Sequence, residues 1–271
     1  MLGGDAVAGT IEQIRESKTL RIAYDPGAPP FSYIVPGSPA TALPQGYSVE
    51  LCREIANLFK EQLKIPDLKV AYVPVNTQDR FDAIISGKAD LLCESSTATL
   101  SRRQKVDFSI PIFLDGASFV IRPDGPRDLK FLAGKKVAVL PGTTTEEALR
   151  RALTATHINA EVVLVKTNQE GIDAVEKGEV AAYFAERVIL QYLQRASKSG
   201  AKLQLSNYLT YEPYALALPY GDEEFRLAVD RALSELYRSG AISAVFTRSF
   251  GPEAAPTQIV RDLFIISALP E

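Results

Sequence analysis

The amino-acid sequence predicts an α/β protein made of two similar lobes, each a parallel sheet with helices packed around it. Short segments with the pattern of buried strands alternate with segments whose apolar residues recur at helical spacing, which is typical of βα units. Residues 81–89 also resemble residues 172–180, and both segments describe a short helix that ends at a glycine before a buried strand. The length of 271 residues leaves room for two domains of ordinary size.

The first half of the chain begins with a predicted strand over residues 20–24, which ends at a proline-glycine turn. Apolar side chains at Leu51, Ile55 and Phe59 then follow helical spacing. Gly87 is expected to end a helix because glycine readily adopts the left-handed conformation found at helix ends. The predicted strands cover residues 20–24, 68–75 and 90–93, and the predicted helices cover residues 47–60 and 80–86.

The second half repeats this plan and then adds a tail. Thr143 is a candidate N-cap for the helix that follows it. Glu146 and Glu147 lie in the first turn of that helix, where the helix dipole stabilises negative charges. The tail has no counterpart in the first half. It either extends the second lobe or returns to the first, and a return requires two crossings between the lobes and therefore a hinge. The second half contains predicted strands over 137–140 and 161–165, a predicted helix over 143–153, and a tail with an amphipathic helix over 223–239, a segment over 242–250 and a proline-rich segment over 251–256.

Composition and charge exclude several classes of partner. The net charge is −3 and no basic stripe occurs, so we expect neither nucleic acid nor an anionic membrane surface as a partner. No apolar run reaches the roughly 18 residues that a membrane span needs. Residues 1–10 lack the basic and apolar regions of a signal peptide, so we expect an exported form to have lost its leader; a cytosolic protein is the alternative.

The inventory of reactive side chains favours binding over catalysis, although carboxylate-driven chemistry stays open. His157 is the single histidine and is expected at the surface, in a polar connection. The sequence has no nucleophile elbow, phosphate loop or metal-ligand spacing, so we expect no metal and no cofactor. Cys52 and Cys93 each lie in an apolar segment, and we expect buried free thiols there, with a disulfide as the alternative.

Three polar segments are candidates for ligand contact. Residues 94–104 directly follow a buried strand and are rich in hydroxyl groups, and an arginine there suits a carboxylate. Residues 141–145 place backbone N–H groups at the start of a helix, which suits an anion. The proline-stiffened loop 25–31 carries Phe31, a ring that would stack on a ligand. Each segment also has a plainer explanation, which is helix capping for the first two and core packing for Phe31.

Several short motifs occur in a specific order along the chain. They lie at residues 20–24, 30–33, 46–51, 80–81, 86–91, 102, 106–109 and 142–144. Each motif alone is weak, but together they resemble the amino-acid-binding proteins of ABC importers, which have the type II periplasmic-binding-protein fold. The resemblance runs from about residue 20 to the C-terminus, and the glutamate/aspartate-binding branch looks nearest.

The resemblance implies two lobes with mixed sheets flanked by helices and joined by two hinge crossings. Residues 1–114 and 213–271 would form lobe one, and residues 115–212 would form lobe two, inserted between them. The crossings are expected near residues 114–116 and 211–214. The resemblance also implies a periplasmic or otherwise extracytoplasmic monomer that captures a small polar amino acid and delivers it to a membrane ABC permease.

The resemblance further assigns roles around the α-carboxylate and ammonium groups of the ligand. Arg102 matches the arginine that binds the α-carboxylate, and Ser95 and Thr97 match contacts to the carboxylate and the ammonium. Thr144, which follows Thr143 at the start of a helix, matches the carboxylate contact of lobe two.

At the side-chain end of the ligand, the sequence departs from the acidic-ligand branch. Glu186 stands where the family usually has an aspartate for the ammonium, so the charge is kept and the reach is longer. Asp25 replaces an arginine and Asn168 lies at about the position of a histidine, so Arg80 alone is retained. A buried ligand carboxylate near Asp25 would be repelled, which favours a polar or cationic amino acid, or another zwitterion.

Two other functions stay open from the sequence. A ligand-sensing ectodomain of a receptor would have the same domain. A dehydratase of the same fold, similar to cyclohexadienyl dehydratases, needs a pocket carboxylic acid one helical step after Glu186. That position is Ile189, so we expect that the protein is not an enzyme.

Overall fold

The computed structural model describes residues 9–197 and 202–270, which form two sheets with helices packed around them. The helices are α1 (Thr10–Ser17), α2 (Tyr47–Gln62), α3 (Arg80–Ile85), α4 (Thr144–Ala155), α5 (Asn168–Lys177), α6 (Arg187–Ala196), α7 (Glu223–Arg238), α8 (Ile242–Phe250) and α9 (Gln258–Ser267). The strands are β1 (Thr19–Tyr24), β2 (Gly27–Ala28), β3 (Ser32–Tyr33), β4 (Lys69–Pro74), β5 (Leu91–Leu92), β6 (Val106–Phe108), β7 (Phe113–Asp115), β8 (Ala117–Ile121), β9 (Lys136–Val139), β10 (Glu161–Leu164), β11 (Ala182–Glu186), β12 (Gln204–Leu205), β13 (Glu212–Tyr214) and β14 (Ala217–Pro219).

The first sheet has the strand order β4-β1-β5-β14-β6 and forms the centre of one lobe. β1 runs parallel to β4 and β5, and the connections through α2 and α3 supply the helices that parallel neighbours require. β14 lies antiparallel between β5 and β6, so this sheet is mixed rather than parallel. Because β14 comes from the tail of the chain, the tail returns to the first lobe. The α7 helix packs there on α2, with the rings of Phe59 and Phe225 6.1 Å apart.

The second sheet has the strand order β10-β9-β11-β8-β12 and forms the centre of the other lobe. β9 is parallel to β10 and β11, whereas β8 is antiparallel to β11 and β12, so this sheet is mixed as well. The internal match in the sequence corresponds to α3 before β5 and α5 before β11, one in each lobe. Both helices are followed by a glycine with positive φ, 68° at Gly87 and 76° at Gly178, as their position at a helix end requires.

The two crossings between the lobes lie side by side. β7 and β13 form an antiparallel pair in which Phe113, Leu114 and Asp115 face Tyr214, Pro213 and Glu212. Gly116 follows in tight contact with the other crossing, because a Cβ there would lie 1.9 Å from the carbonyl oxygen of Thr210. The lobe boundaries at residues 114/115 and 212/213 remain predictions.

Phe31 lies in the core and does not contact the space between the lobes. Its ring is fully buried and makes edge-on contacts with four other rings, those of Tyr47, Phe113, Tyr214 and Phe250, at centroid distances of 5.0–6.3 Å. Phe113 and Tyr214 lie on the crossings β7 and β13, and Tyr47 and Phe250 lie on α2 and α8. The expectation of a ligand-stacking ring at this position is therefore corrected: Phe31 packs the core.

The two cysteines form a disulfide. Cys52 on α2 and Cys93 directly after β5 are both fully buried, with Cα atoms 6.3 Å apart and bonded sulfur atoms. The expectation of free thiols is wrong, because α2 packs across the end of β5 and brings together two segments that are 41 residues apart. Disulfides of this kind persist in oxidising compartments.

The remaining sequence expectations concern the surface. His157 is exposed in the turn after α4, as predicted. Within residues 9–197 and 202–270, the helices are too short or too polar to cross a bilayer.

Candidate functional site

A cleft lies between the two lobes, where the carboxyl ends of the central strands of both sheets meet. The space open to the centre of a water-sized sphere is about 20 Å³, little more than one water molecule needs, so the lobes lie almost closed on each other. All of the residues expected from the sequence line this cleft except Phe31. The lining residues are Asp25, Ala28, Thr77, Arg80, Glu94, Ser95, Thr97 and Arg102 from one side and Leu140, Thr143, Thr144, Asn168, Glu186 and Ile189 from the other.

Arg102 provides a partly buried positive charge in the cleft. One of its terminal nitrogens, Nη1, donates to the carbonyl oxygen of Thr97 at 2.9 Å, and its guanidinium carbon lies 5.2 Å from the centre of the Phe81 ring. Burial lowers the pKa of the guanidinium, and the positive charge of Arg80 acts in the same direction. No carboxylate of the described residues forms a salt bridge with Arg102. Its remaining donors suit an anionic group of a ligand.

Arg80 is paired with a carboxylate that the sequence interpretation did not single out. The Arg80 side chain is 5% exposed and its Nε lies 3.4 Å from Oε1 of Glu94, whose side chain is 3% exposed. The same oxygen of Glu94 accepts a short hydrogen bond from Ser96. Arg80 also reaches the opposite lobe, where Nη2 donates to the carbonyl oxygen of Gly142 at 3.5 Å. Arg80 therefore has a carboxylate beside it, while its buried Nε makes no hydrogen bond within the described residues.

Asp25 and Asn168 lie on opposite sides of the same end of the cleft. Asp25 accepts from the backbone N–H of Gly27 at 2.7 Å, and the carbonyl oxygen of Gly27 accepts from the amide of Asn168 at 3.0 Å. Tyr183 donates to the other end of that amide at 2.6 Å, which fixes its orientation. Burial raises the pKa of Asp25 to about 6, with a further contribution from the negative charge of Glu94. This end of the cleft is therefore rich in carboxylates.

Glu186 lies at the end of β11, directly before α6. Its Oε1 accepts from the hydroxyl of Thr145 at 3.3 Å. Burial raises the pKa of Glu186 to about 7, and the negative charge of Glu212 adds to the effect. The positive charge of Arg80 offsets this rise only in part, and Glu186 forms no salt bridge within the described residues, so a ligand ammonium would stabilise its ionised form further.

The two threonines at the start of α4 have different environments. Thr143 uses its hydroxyl for the helix itself, because it donates to the carbonyl oxygen of Leu140 at 2.9 Å and accepts from the N–H of Glu146 at 3.0 Å. The hydroxyl of Thr144 instead lies 3.2 Å from that of Thr97 on the opposite lobe, and both hydroxyls contact Glu212.

Sequence reasoning assigned no role to Glu94 or Glu212. Glu94 directly follows the strand-like segment that precedes the hydroxyl-rich stretch, which is a signal for a site at a strand end. Glu212 lies in the segment assigned to the hinge, and its contacts with both lobes depend on the folded chain. No group of residues in the described part of the chain has the arrangement of a metal site.

The chain is similar in sequence and in fold to amino-acid-binding proteins. The chain is 28% identical to the L-glutamate/L-aspartate-binding protein of Pseudomonas aeruginosa, over 93% of this chain and 83% of the relative. It is 30% identical to the amino-acid-binding protein AabA of Dichelobacter nodosus, over 74% of this chain and 78% of the relative. It superposes with a TM-score of 0.76 and 25% identity on the ancestral amino acid-binding protein AncCDT-1, a precursor of cyclohexadienyl dehydratase, covering 89% of this chain and 99% of that one.

The family description of bacterial extracellular solute-binding proteins, family 3, matches residues 20–252, which include both sheets and every residue that lines the cleft. The two-lobed fold, the cleft and this match agree. The chain belongs to family 3 of the bacterial extracellular solute-binding proteins.

Proposed function

We propose that this protein captures a free amino acid with an uncharged polar or cationic side chain between its lobes and presents it to a membrane ABC permease. The observation that carries the proposal is that one cleft holds a cation and an anion, Arg102 and Glu186, neither of which forms a salt bridge within the described residues. An amino acid satisfies both groups at once through its α-carboxylate and its α-ammonium.

The preference for an uncharged or cationic side chain follows from the charges in the cleft. Arg80, the one cation that this chain keeps from the acidic-ligand branch, is already paired with Glu94 at 3.4 Å. Asp25 adds another carboxylate nearby. The relative from Pseudomonas aeruginosa is named for binding glutamate and aspartate. In this chain an acidic side chain would meet carboxylates without a free guanidinium, which is costly in a buried site.

Binding would be completed by closure of the lobes around the ligand. Contacts across the cleft already join Arg80 to Gly142 and Asn168 to Gly27 in the described structure. A ligand that contacts Arg102 on one lobe and Glu186 on the other binds the closed state more tightly than an open state, and therefore favours closure. We propose that the paired crossings β7 and β13 act as the hinge, with lobe one formed by residues 1–114 and 213–271 and lobe two by 115–212.

We further propose that the protein acts outside the cytoplasm as a monomer and catalyses no reaction. Membership of an extracellular family and the Cys52–Cys93 disulfide support an oxidising location. Ile189, which lines the cleft one helical step after Glu186, offers no proton for a dehydratase reaction. Incubation with prephenate is expected to give no phenylpyruvate, and formation of phenylpyruvate would overturn this part of the proposal.

Isothermal titration calorimetry with a panel of amino acids tests the ligand class. L-arginine, L-glutamine, L-asparagine and L-glutamate are titrated separately into the purified protein after unfolding and refolding to remove any ligand carried through purification. We expect the tightest binding from one of the first three. Tight binding of L-glutamate with none of the others would refute the proposed side-chain preference, and binding of none would refute amino-acid capture.

A further inference from the structure

A buried carboxylate behind the cleft holds two of the threonines that line it. Glu212 lies on the hinge strand β13, is 7% exposed and is not among the residues that line the cleft. Its Oε2 accepts from the hydroxyl of Thr97 at 2.6 Å and from the hydroxyl of Thr144 at 2.6 Å. Its Oε1 accepts from the hydroxyl of Thr210, also at 2.6 Å. Glu212 thereby contacts a residue of each lobe and the second crossing.

The number of protons on these hydroxyl groups limits what they can do in the cleft. A threonine hydroxyl has one proton to donate and two lone pairs that accept. Both distances to Glu212 fall in the range of charge-assisted bonds from a hydroxyl to a carboxylate. Thr97 and Thr144 therefore both donate their hydroxyl protons to Glu212. Their two oxygens, which lie 3.2 Å apart, then have only lone pairs to offer and both act as acceptors.

We infer that Glu212 is a positioning residue that fixes the hydroxyls of Thr97 and Thr144 as a pair of acceptors for the α-ammonium of the ligand. Two acceptor oxygens so close together repel each other unless a donor group contacts both. The α-ammonium is such a donor, whereas the α-carboxylate offers only acceptors and is left to Arg102. This assignment rests on the proposed function, because it presumes an amino acid in the cleft.

The assignment changes the role expected for Thr144, whose side chain was matched to the ligand carboxylate by resemblance. It also explains why an ammonium would draw the lobes together, since Thr97 and Thr144 belong to opposite lobes. Glu186 supports the same location for the positive charge. Burial and the negative charge of Glu212 raise the pKa of Glu186, and a nearby ammonium would offset both effects.

A double-mutant cycle separates this role from a purely structural one. The probe is the amino acid of the panel that binds the wild type most tightly, together with its 2-hydroxy acid, in which a hydroxyl replaces the ammonium. The measured quantity is the dissociation constant of the hydroxy acid divided by that of the amino acid. It is determined by calorimetry for the wild type, Glu212→Leu, Thr144→Val and the double variant.

We expect each single substitution to reduce this ratio about tenfold. Each one weakens the hydrogen bonds from the α-ammonium to the threonine hydroxyls, and the hydroxy acid has no ammonium to lose them. The double variant is expected to match Glu212→Leu, since Glu212 acts through the hydroxyls of Thr97 and Thr144 and its loss already removes the arrangement of both. Thr210→Val, which removes a hydrogen bond to the other oxygen of Glu212, is the matched control and should keep the wild-type ratio. If Glu212→Leu fails to fold, Glu212→Met, which keeps the length of the side chain and is only a weak acceptor, takes its place.

Three results would overturn the inference. An unchanged ratio in the Glu212 variant, with both ligands weakened equally, would mean that Glu212 only holds the lobes together. Multiplicative effects in the double variant would mean that Glu212 acts on the ammonium by its charge and not through Thr144. Absence of amino-acid binding to the wild type would refute the proposed function as well, which distinguishes the two failures.

Discussion

Glu94→Gln is the substitution whose consequences follow most directly from the charges in the cleft. It keeps the shape of the side chain and removes the carboxylate that pairs with Arg80, leaving a guanidinium with 5% exposure unpaired. At 3.4 Å and an effective dielectric constant of about 20, the attraction lost is about 5 kcal/mol. Breaking a buried ion pair by removal of one partner costs about 3–5 kcal/mol of the free energy of unfolding.

For a protein of this size, that loss corresponds to a fall in Tm of roughly 5–9 °C. The same substitution frees Arg80 for a ligand, so affinity for L-glutamate should rise about 10- to 100-fold, the worth of a hydrogen bond to a charged group. Differential scanning calorimetry without ligand and titration calorimetry with L-glutamate measure the two effects. Asp67→Asn is the matched control, because the Lys18–Asp67 pair lies at the surface and should leave Tm near the wild-type value. A Glu94→Gln variant with the Tm and ligand preference of the wild type would refute this reasoning.

Three further predictions concern stability. Because the pKa of Glu186 is raised from 4.5 to about 7 in the folded state, its contribution to stability is fully present at acid pH and is lost as the pH rises through about 7. Between about pH 4.5 and pH 7, Tm of the ligand-free protein should therefore fall more steeply than Tm of Glu186→Gln, and equal slopes would count against the shift. Replacing Cys52 and Cys93 together by serine should lower the free energy of unfolding by about 4 kcal/mol, which is the entropy of closing a loop of 41 residues in the unfolded chain. Urea unfolding of this variant that matches the wild type would contradict a native disulfide. Gly116→Ala should lower the free energy of unfolding by about 1–3 kcal/mol, because the new Cβ collides with the carbonyl oxygen of Thr210, and an unchanged urea midpoint would mean that the crossings are not tightly packed.

The sequence predicted the architecture well where local signals were repeated. Helical spacing before Gly87 and Gly178 marked the matching helix of each lobe, and the tail without a counterpart indicated the return to the first lobe. The antiparallel strands β8 and β14 were not predicted from periodicity, because strand direction depends on the crossings between lobes and not on local pattern.

The cleft was predicted less completely, for reasons that concern contacts between distant segments. Phe31 follows two prolines and looked like an exposed ring, but Phe113 and Phe250, far along the chain, enclose it. The charge of Arg80 looked available because its partner Glu94 was taken as part of a polar turn. Glu212 carries no local signal for its contacts with both lobes.

Titration of the preferred amino acid into Arg102→Ala tests the central claim most directly. Loss of the guanidinium leaves the ligand α-carboxylate desolvated and unpaired, so the dissociation constant should rise by about 100-fold or more. Arg103→Ala, the same substitution at the exposed neighbouring residue, should bind as the wild type does. An unchanged dissociation constant in Arg102→Ala would contradict capture of the amino acid in this cleft.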